Sequence, residues 1–171
     1  MTISILTSYA AMLTFAFTMV WACITDLTTM KIRNDLVLLF LLAYVVLAPL
    51  AGFTAYEIGW SAATSASVLV FAFTFFALGW IGGGDAKLIA VTALWFGADY
   101  IAAYLIYTAL LGGTLTLALL IFRKQTLPAW LQDRSWIVRL HCKQSGVPYG
   151  VAMALAGLLV FPETRWMAPS Y

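Results

Sequence analysis

Apolar residues in this chain run in long unbroken blocks and do not alternate with polar ones. Residues 3–24, 36–51, 60–81, 88–96, 100–122 and 149–161 contain no Asp, Glu, Lys or Arg. About 20 apolar residues carry a helix across the hydrocarbon core of a bilayer. A membrane β-barrel would instead show short alternating segments. The pattern therefore predicts about six transmembrane helices. The two short blocks draw length from their flanks, giving spans near 86–98 and 147–165. The last span starts as early as Gly146 or ends as late as Ala168 in alternative readings. Gly97-Ala98-Asp99 supplies turn residues between the fourth and fifth blocks. Read without that break, residues 88–122 form one helix and the count falls to five.

Composition agrees with the pattern. Of 171 residues, 64% are hydrophobic and 9% are charged, where a soluble domain carries about 25% charge. So few charges cannot clothe a water-soluble surface. The expected class is an all-α, polytopic integral membrane protein, with residues 1–171 forming one membrane-embedded domain. No internal repeat is visible. Two cysteines, Cys23 and Cys142, fall short of a disulfide framework or a four-cysteine zinc site. Residues 1–25 lack a basic n-region and are read as a span, not a cleaved signal peptide.

Charge placement decides between five spans and six. With six spans and the N-terminus outside, Lys31, Arg33, Lys87, Arg123, Lys124, Arg134, Arg139 and Lys143 all lie on the cytoplasmic side, leaving only Arg165 outside. Five spans would carry loop 123–145 to the other side, against the positive-inside rule. Both termini are therefore expected outside. Trp21, Trp60, Trp80 and Trp95 fall near predicted helix ends, as interfacial rings do. Loop 123–145 mixes Trp130, Leu131, Trp136, Ile137, Val138 and Leu140 with basic residues. It reads equally as an interfacial amphipathic helix on an anionic leaflet or as a plain basic loop.

Two acids stand apart from the other five. Asp35, Glu57, Asp99, Asp133 and Glu163 fall in loops or at helix boundaries. Asp26 and Asp85 each sit at the cytoplasmic end of a strongly apolar stretch, where an ionisable group is a candidate for function. The plainer reading of either is an interface residue that marks the end of a span. Asp85 follows Gly82-Gly83-Gly84. Three glycines cost a helix backbone entropy but admit tight turns and close approach by another backbone, such as an extended peptide substrate. They also put Asp85 at a helix N-terminus, where free N–H groups favour a carboxylate. The plainer reading is a glycine hinge between helices. The glycine spacing is not that of a phosphate-binding P-loop. Asp26 closes the first span and precedes a short basic segment that includes Asn34. The predicted topology sets both aspartates on one side at similar depth. Two such carboxylates can hydrolyse a peptide through a water: one takes the water's proton and the other, protonated, bonds the scissile carbonyl. Like charge at short range makes the pair share a proton. Lys87 is read either as an electrostatic tuner of Asp85 or as a snorkelling interface lysine. His141 is the only histidine and is read as a loop residue. No metal and no cofactor is expected.

At these residues the chain resembles a known family. Gly82-Gly83-Gly84-Asp85 resembles the GxGD motif of intramembrane-type aspartic proteases, and its extension through Ala86-Lys87-Leu88 resembles the type IV prepilin peptidases. Asp26 with Lys31-Ile32-Arg33-Asn34 is similar to that family's first catalytic aspartate and its basic-Ile-Pro-Asn element. Arg33 replaces the usual proline and is expected to loosen the turn. Pro148-Tyr149-Gly150 is similar to the family's Pro-Phe-Gly element. The resemblance runs from about residue 20 to the C-terminus. It implies Asp26 and Asp85 as the catalytic pair, with Gly82, Gly83, Gly84, Lys87 and Asn34 as approach and tuning residues. It implies a prepilin precursor as substrate, cut at the cytoplasmic face of a bacterial inner membrane. The short chain is most similar to the small Flp, or tight-adherence, branch. Without a cysteine tetrad, methylation of the new N-terminus is not expected. The implied partners are prepilin or pseudopilin precursors and the lipid bilayer, with homo-oligomers allowed and no nucleic acid. Two other classes compete: a small transporter or channel component relaying cations through Asp26 and Asp85, and a non-catalytic pilus or secretion assembly factor. Transport sites favour the bilayer midplane, and these acids lie at its boundary.

Overall fold

The computed structural model describes residues 2–167. Its helices are α1 (Thr2–Thr29), α2 (Asn34–Leu50), α3 (Ala55–Ala77), α4 (Gly83–Phe122), α5 (Ala129–Gln132), α6 (Ser135–His141) and α7 (Tyr149–Val160), followed by a 3-10 turn, Phe161–Glu163. No strand occurs among the described residues. Three helical stretches, residues 5–29, Ala55–Ala77 and Gly83–Phe122, are long and apolar enough to cross a membrane. The chain is all-helical, as the apolar blocks imply.

The boundaries show where local chemistry overrode hydropathy. Helix α3 begins five residues before the predicted block. Thr54 and Glu57 form a reciprocal capping box there: the Thr54 hydroxyl accepts from the Glu57 N–H, and the Glu57 carboxylate accepts from the Thr54 N–H at 2.7 Å. The same helix stops at Ala77, not Ile81. Gly79 takes a φ of 75° and donates to Phe76 O, while Trp80 donates to Phe75 O. This left-handed cap needs a glycine. The Trp80 ring closes it by stacking on Phe75 with centroids 5.6 Å apart. Helix α1 runs to Thr29, five residues past the predicted block, and so takes Asp26 inside its last turns. Helix α7 is shorter than the predicted 147–165 span, and an end near Ala168 lies outside the described residues.

The break expected at residues 97–99 is present as a kink. Gly97 has φ 61° and ψ −167°, so α4 is two helical arms, 83–96 and 98–122. At this break the carbonyl of Trp95 accepts from the Trp166 indole at 2.9 Å. One cavity is lined by the end of α1, the α3–α4 turn and the start of α7; a second is lined by the start of α3, the Gly97 kink and Thr164–Trp166. Six helical segments thus run alternately between two ends of the molecule.

The 83–96 arm is the centre of the bundle. Leu88 and Ala93 are fully buried, and Val91, Leu94, Trp95 and Phe96 nearly so. Around it, Phe40 stacks on Trp95 at 4.9 Å, and Trp166 lies 4.8 Å from Trp95. Helix α1 contributes one buried stripe, Ala11, Phe15, Met19, Ala22 and Asp26, at helical spacing. The stripe faces α7, where Gly157 is so close that a Cβ there would lie 3.3 Å from Met19 Sδ. Small residues allow this approach, and van der Waals contact supplies the attraction between helices whose outer faces are as apolar as lipid. Those outer faces carry Leu13, Phe17, Val45, Val70 and Phe71, all more than half exposed.

Candidate active site

Asp26 reaches the interior because it continues the buried stripe of α1. Its side chain belongs to a residue only 5% exposed, and its Oδ2 accepts the backbone N–H of Gly150 at 2.7 Å. Gly150 lies in the first turn of α7, where N–H groups have no helical partner and are free to bind an acceptor. A Cβ at Gly150 would come within 2.8 Å of both Asp26 Cβ and Oδ2. Only glycine leaves room for the carboxylate.

Asp85 is held by its own helix. Gly82 is the N-cap of α4, and its carbonyl accepts the Ala86 N–H at 3.0 Å. The Asp85 carboxylate folds back toward this cap, so that a Cβ on Gly82 would lie 3.0 Å from its Oδ2. Both aspartates therefore lie at helix N-termini, Asp85 in the first turn of its own helix and Asp26 bonded to the first turn of α7.

The two carboxyls line one cavity of about 620 Å³, together with Met30, Lys31, Ile32, residues 79–84, Gly146, Val147 and Tyr149. No salt-bridge cation is paired with either among the described residues. Residues 59 positions apart in sequence are thus joined in one solvent-accessible recess, which Lys31 also lines without a salt bridge to either.

The glycine run behaves differently at each position. Gly84 does admit another backbone, but it is the chain's own: a Cβ there would lie 3.0 Å from Ile32 Cβ and 3.3 Å from Ile32 O. Gly83 faces the Phe76 ring, to which an added Cβ would come within 3.2 Å. The run locks the α1–α2 link onto the start of α4 and also forms one cavity wall.

Lys87 and Asn34 are brought to each other. Lys87 Nζ donates to Asn34 Oδ1 at 3.0 Å, and neither lines the cavity. They tie α4 to the start of α2 from outside the recess. Arg33 also departs from expectation, since the turn is not loosened. Arg33 is the N-cap of α2 with φ −74°, inside the range a proline would impose. Its guanidinium grips Asp35 through two bonds, of 3.0 and 2.5 Å. That bonding holds the Asp35 carboxyl below the usual carboxylate range.

Some residues at the site carried no recognisable signal. Met30 has φ 56°, a left-handed conformation rare for a side chain of this size. It ends α1 by donating to Asp26 O at 2.8 Å and lines the cavity. Gly150 was legible only as part of a Pro-Tyr-Gly element, not as the partner of Asp26. Loop 123–145 is not plain coil: it holds α5 and α6 and is tied down by the buried Arg123, which donates to Leu140 O and Gly146 O, both at 2.8 Å.

The profile of the type IV leader peptidase family matches residues 13–117, well over half of the chain and inclusive of both aspartates. The chain belongs to the type IV leader peptidase family. No curated protein and no solved structure gives a significant match. Membership makes the chain a peptidase of the leader-peptidase type, with prepilin-like substrates. Gly146, Val147, Tyr149 and Gly150 lie beyond the matched region yet complete the recess around Asp26.

Proposed function

We propose that this protein is a membrane aspartic endopeptidase whose catalytic pair is Asp26 and Asp85, and that it removes the basic leader from type IV pilin precursors of the Flp kind. The observation that carries the reading is the pairing itself: two acids from distant helices share one open recess, and neither forms a salt bridge among the described residues. A buried acid left without a cation is costly, and such a site is typical of chemistry rather than scaffolding.

In this mechanism a water sits between the two carboxyls. The ionised one takes a proton as the water oxygen attacks the scissile carbonyl carbon. The protonated one donates to the carbonyl oxygen, giving a tetrahedral gem-diol. Collapse breaks the C–N bond, and the proton gained from water passes to the leaving nitrogen. No serine or cysteine nucleophile with an adjacent base lines the recess, so no acyl-enzyme is formed.

The same reading treats residues 1–171 as one domain of six spans, termini outside, with the recess at the cytoplasmic face. It is supported by the alternation of helical segments between two ends and by the Lys and Arg residues at the recess end. A cation-relay transporter is less well supported, since both acids lie at one end of the bundle and not midway. The test is co-expression with a candidate prepilin followed by mass measurement of its N-terminus. Removal of the leader, with an unmodified new amino group even when S-adenosylmethionine is supplied, is the expected result. An intact precursor would sink the reading. Reporter fusions after residues 31, 87 and 135 should report cytoplasm, and those after 56 and 99 the outside.

A further inference from the structure

The segment between α4 and α7 is built for something other than closing the chain. From Arg123 to Lys143 it holds five Lys or Arg residues and one acid, Asp133. Arg123 and Arg139 are spent on the protein itself, the latter donating to Thr28 O at 2.9 Å. Lys124, Arg134 and Lys143 are exposed and donate to no protein acceptor among the described residues. Between them, Trp130 is 75% exposed and has no ring partner among the described residues, whereas the exposed Trp21, Trp60 and Trp80 each pack on a neighbouring aromatic. Val138 is exposed on the same segment. Free cations interleaved with an unpartnered indole match the headgroup layer of an anionic bilayer. The rings enter the acyl boundary and the cations meet phosphate.

We propose that residues 124–143 dock on the anionic phospholipid surface of the membrane and that this docking braces the wall of the active-site recess. The brace is visible in two struts. Arg139 joins α6 to Thr28, two residues from Asp26. Arg123 joins the same segment to Gly146, which lines the recess four residues before Gly150. Lipid therefore holds the segment, and the segment holds both ends of the Asp26–Gly150 contact. The regulatory half rests on the peptidase reading, but the docking half does not.

The test uses the full chain in nanodiscs of pure phosphatidylcholine and in discs with about 30% phosphatidylglycerol, each basic residue near such a surface shifting the docking equilibrium by about fivefold. Trp130 is followed as the fluorescence difference between the wild type and Trp130→Phe, quenched with acrylamide. Amide exchange is followed at residues 146–150. Phosphatidylglycerol should shield Trp130, slow that exchange and raise kcat/KM for a prepilin. The Lys124→Gln/Arg134→Gln/Lys143→Gln variant should lose all three responses while cleaving as the wild type does in neutral discs. Arg139→Gln should keep the shielding and lose the gain in cleavage. Equal behaviour of wild type and triple variant in both discs would overturn the proposal, as would shielding by soluble poly-glutamate without any response to phosphatidylglycerol. Lipid-dependent shielding and exchange with no cleavage in any disc would uphold the docking surface and count against the peptidase reading alone.

Discussion

Glu57 and Asp26, at opposite ends of the bundle, are handled in opposite ways. At the end near the Gly97 kink, Glu57 has a local answer, while Asp99 and Glu163 stay exposed. Glu57 caps α3 and pairs with Arg165, and Arg165 also lies 4.6 Å over the Phe53 ring. Trp95 and Trp166 interlock beside them through a ring contact and an indole hydrogen bond. At the other end Asp26 and Asp85 face one recess with no salt bridge among the described residues, and the partner of Asp26 is a backbone N–H. An acid with a guanidinium beside it has nothing left to do, while one held only by N–H donors keeps a lone pair for a water. The contrast fits the proposed division between an acid used for structure and a pair held ready for reaction.

The sharpest way to break that contrast is to remove the recess acids. Asp26→Asn and Asp85→Asn should each lower prepilin cleavage by at least about a thousandfold, because a pair that works as a unit fails when either member is lost. Expression and membrane insertion should persist, since amides fit where the carboxylates sat. The wild-type pH–rate profile should be bell-shaped, with two apparent pKa values that belong to the pair. Wild-type cleavage in either variant would return the transporter and assembly readings to the front.

Next comes the donor to Asp26. Gly150→Ala places a methyl 2.8 Å from the carboxylate. It should cost about 1–3 kcal/mol of stability by overpacking and about a hundredfold in cleavage by displacing a reacting group. Gly113→Ala, with nothing within 4 Å of the new carbon, is the matched control and should be silent.

A smaller loss is expected from Gly84→Val, about tenfold. Its branched side chain must push Ile32 away, moving the α1–α2 link and the start of α4 apart, without touching either carboxylate directly. At the opposite end Glu57→Gln should lower thermal stability by about 1 kcal/mol or less, because the pair is partly exposed, and should leave cleavage within about twofold.

The mildest change is Arg33→Pro. The backbone is already at φ −74°, so the ring fits and limits the unfolded chain, while the exposed bond to Asp35 is lost. Because the folded Asp35 pKa is depressed, that bond contributes only above the ordinary carboxylate pKa and fades as pH falls through the folded value. The melting temperature of Arg33→Pro relative to wild type should therefore rise on acidification. A large loss of cleavage would show that Arg33 acts at the recess.

Much of this was legible in the residues. Unbroken apolar blocks set the helices, since a bilayer leaves backbone groups no partner but their own helix. Gly97 marked the kink. Asp26 and Asp85 stood out because an acid at the end of an apolar stretch is rare. The boundaries of α3 were misread because hydropathy does not register a capping box at Thr54 or a left-handed cap at Gly79.

What the sequence alone determined was therefore local: helix content, where the chain turns, which acids are unusual, and a glycine run before one of them. Contact between distant segments was decided only by the tertiary structure. That Gly150 donates to Asp26 across 124 positions, that Gly84 receives Ile32 and not a substrate, and that Lys87 turns to Asn34 are matters of which helix faces pack together. Many faces here are equally apolar, so their pattern does not say which neighbour each will choose. The choice falls to the few sites where small residues let two backbones close to contact distance, and those sites placed Asp26 beside the start of α7.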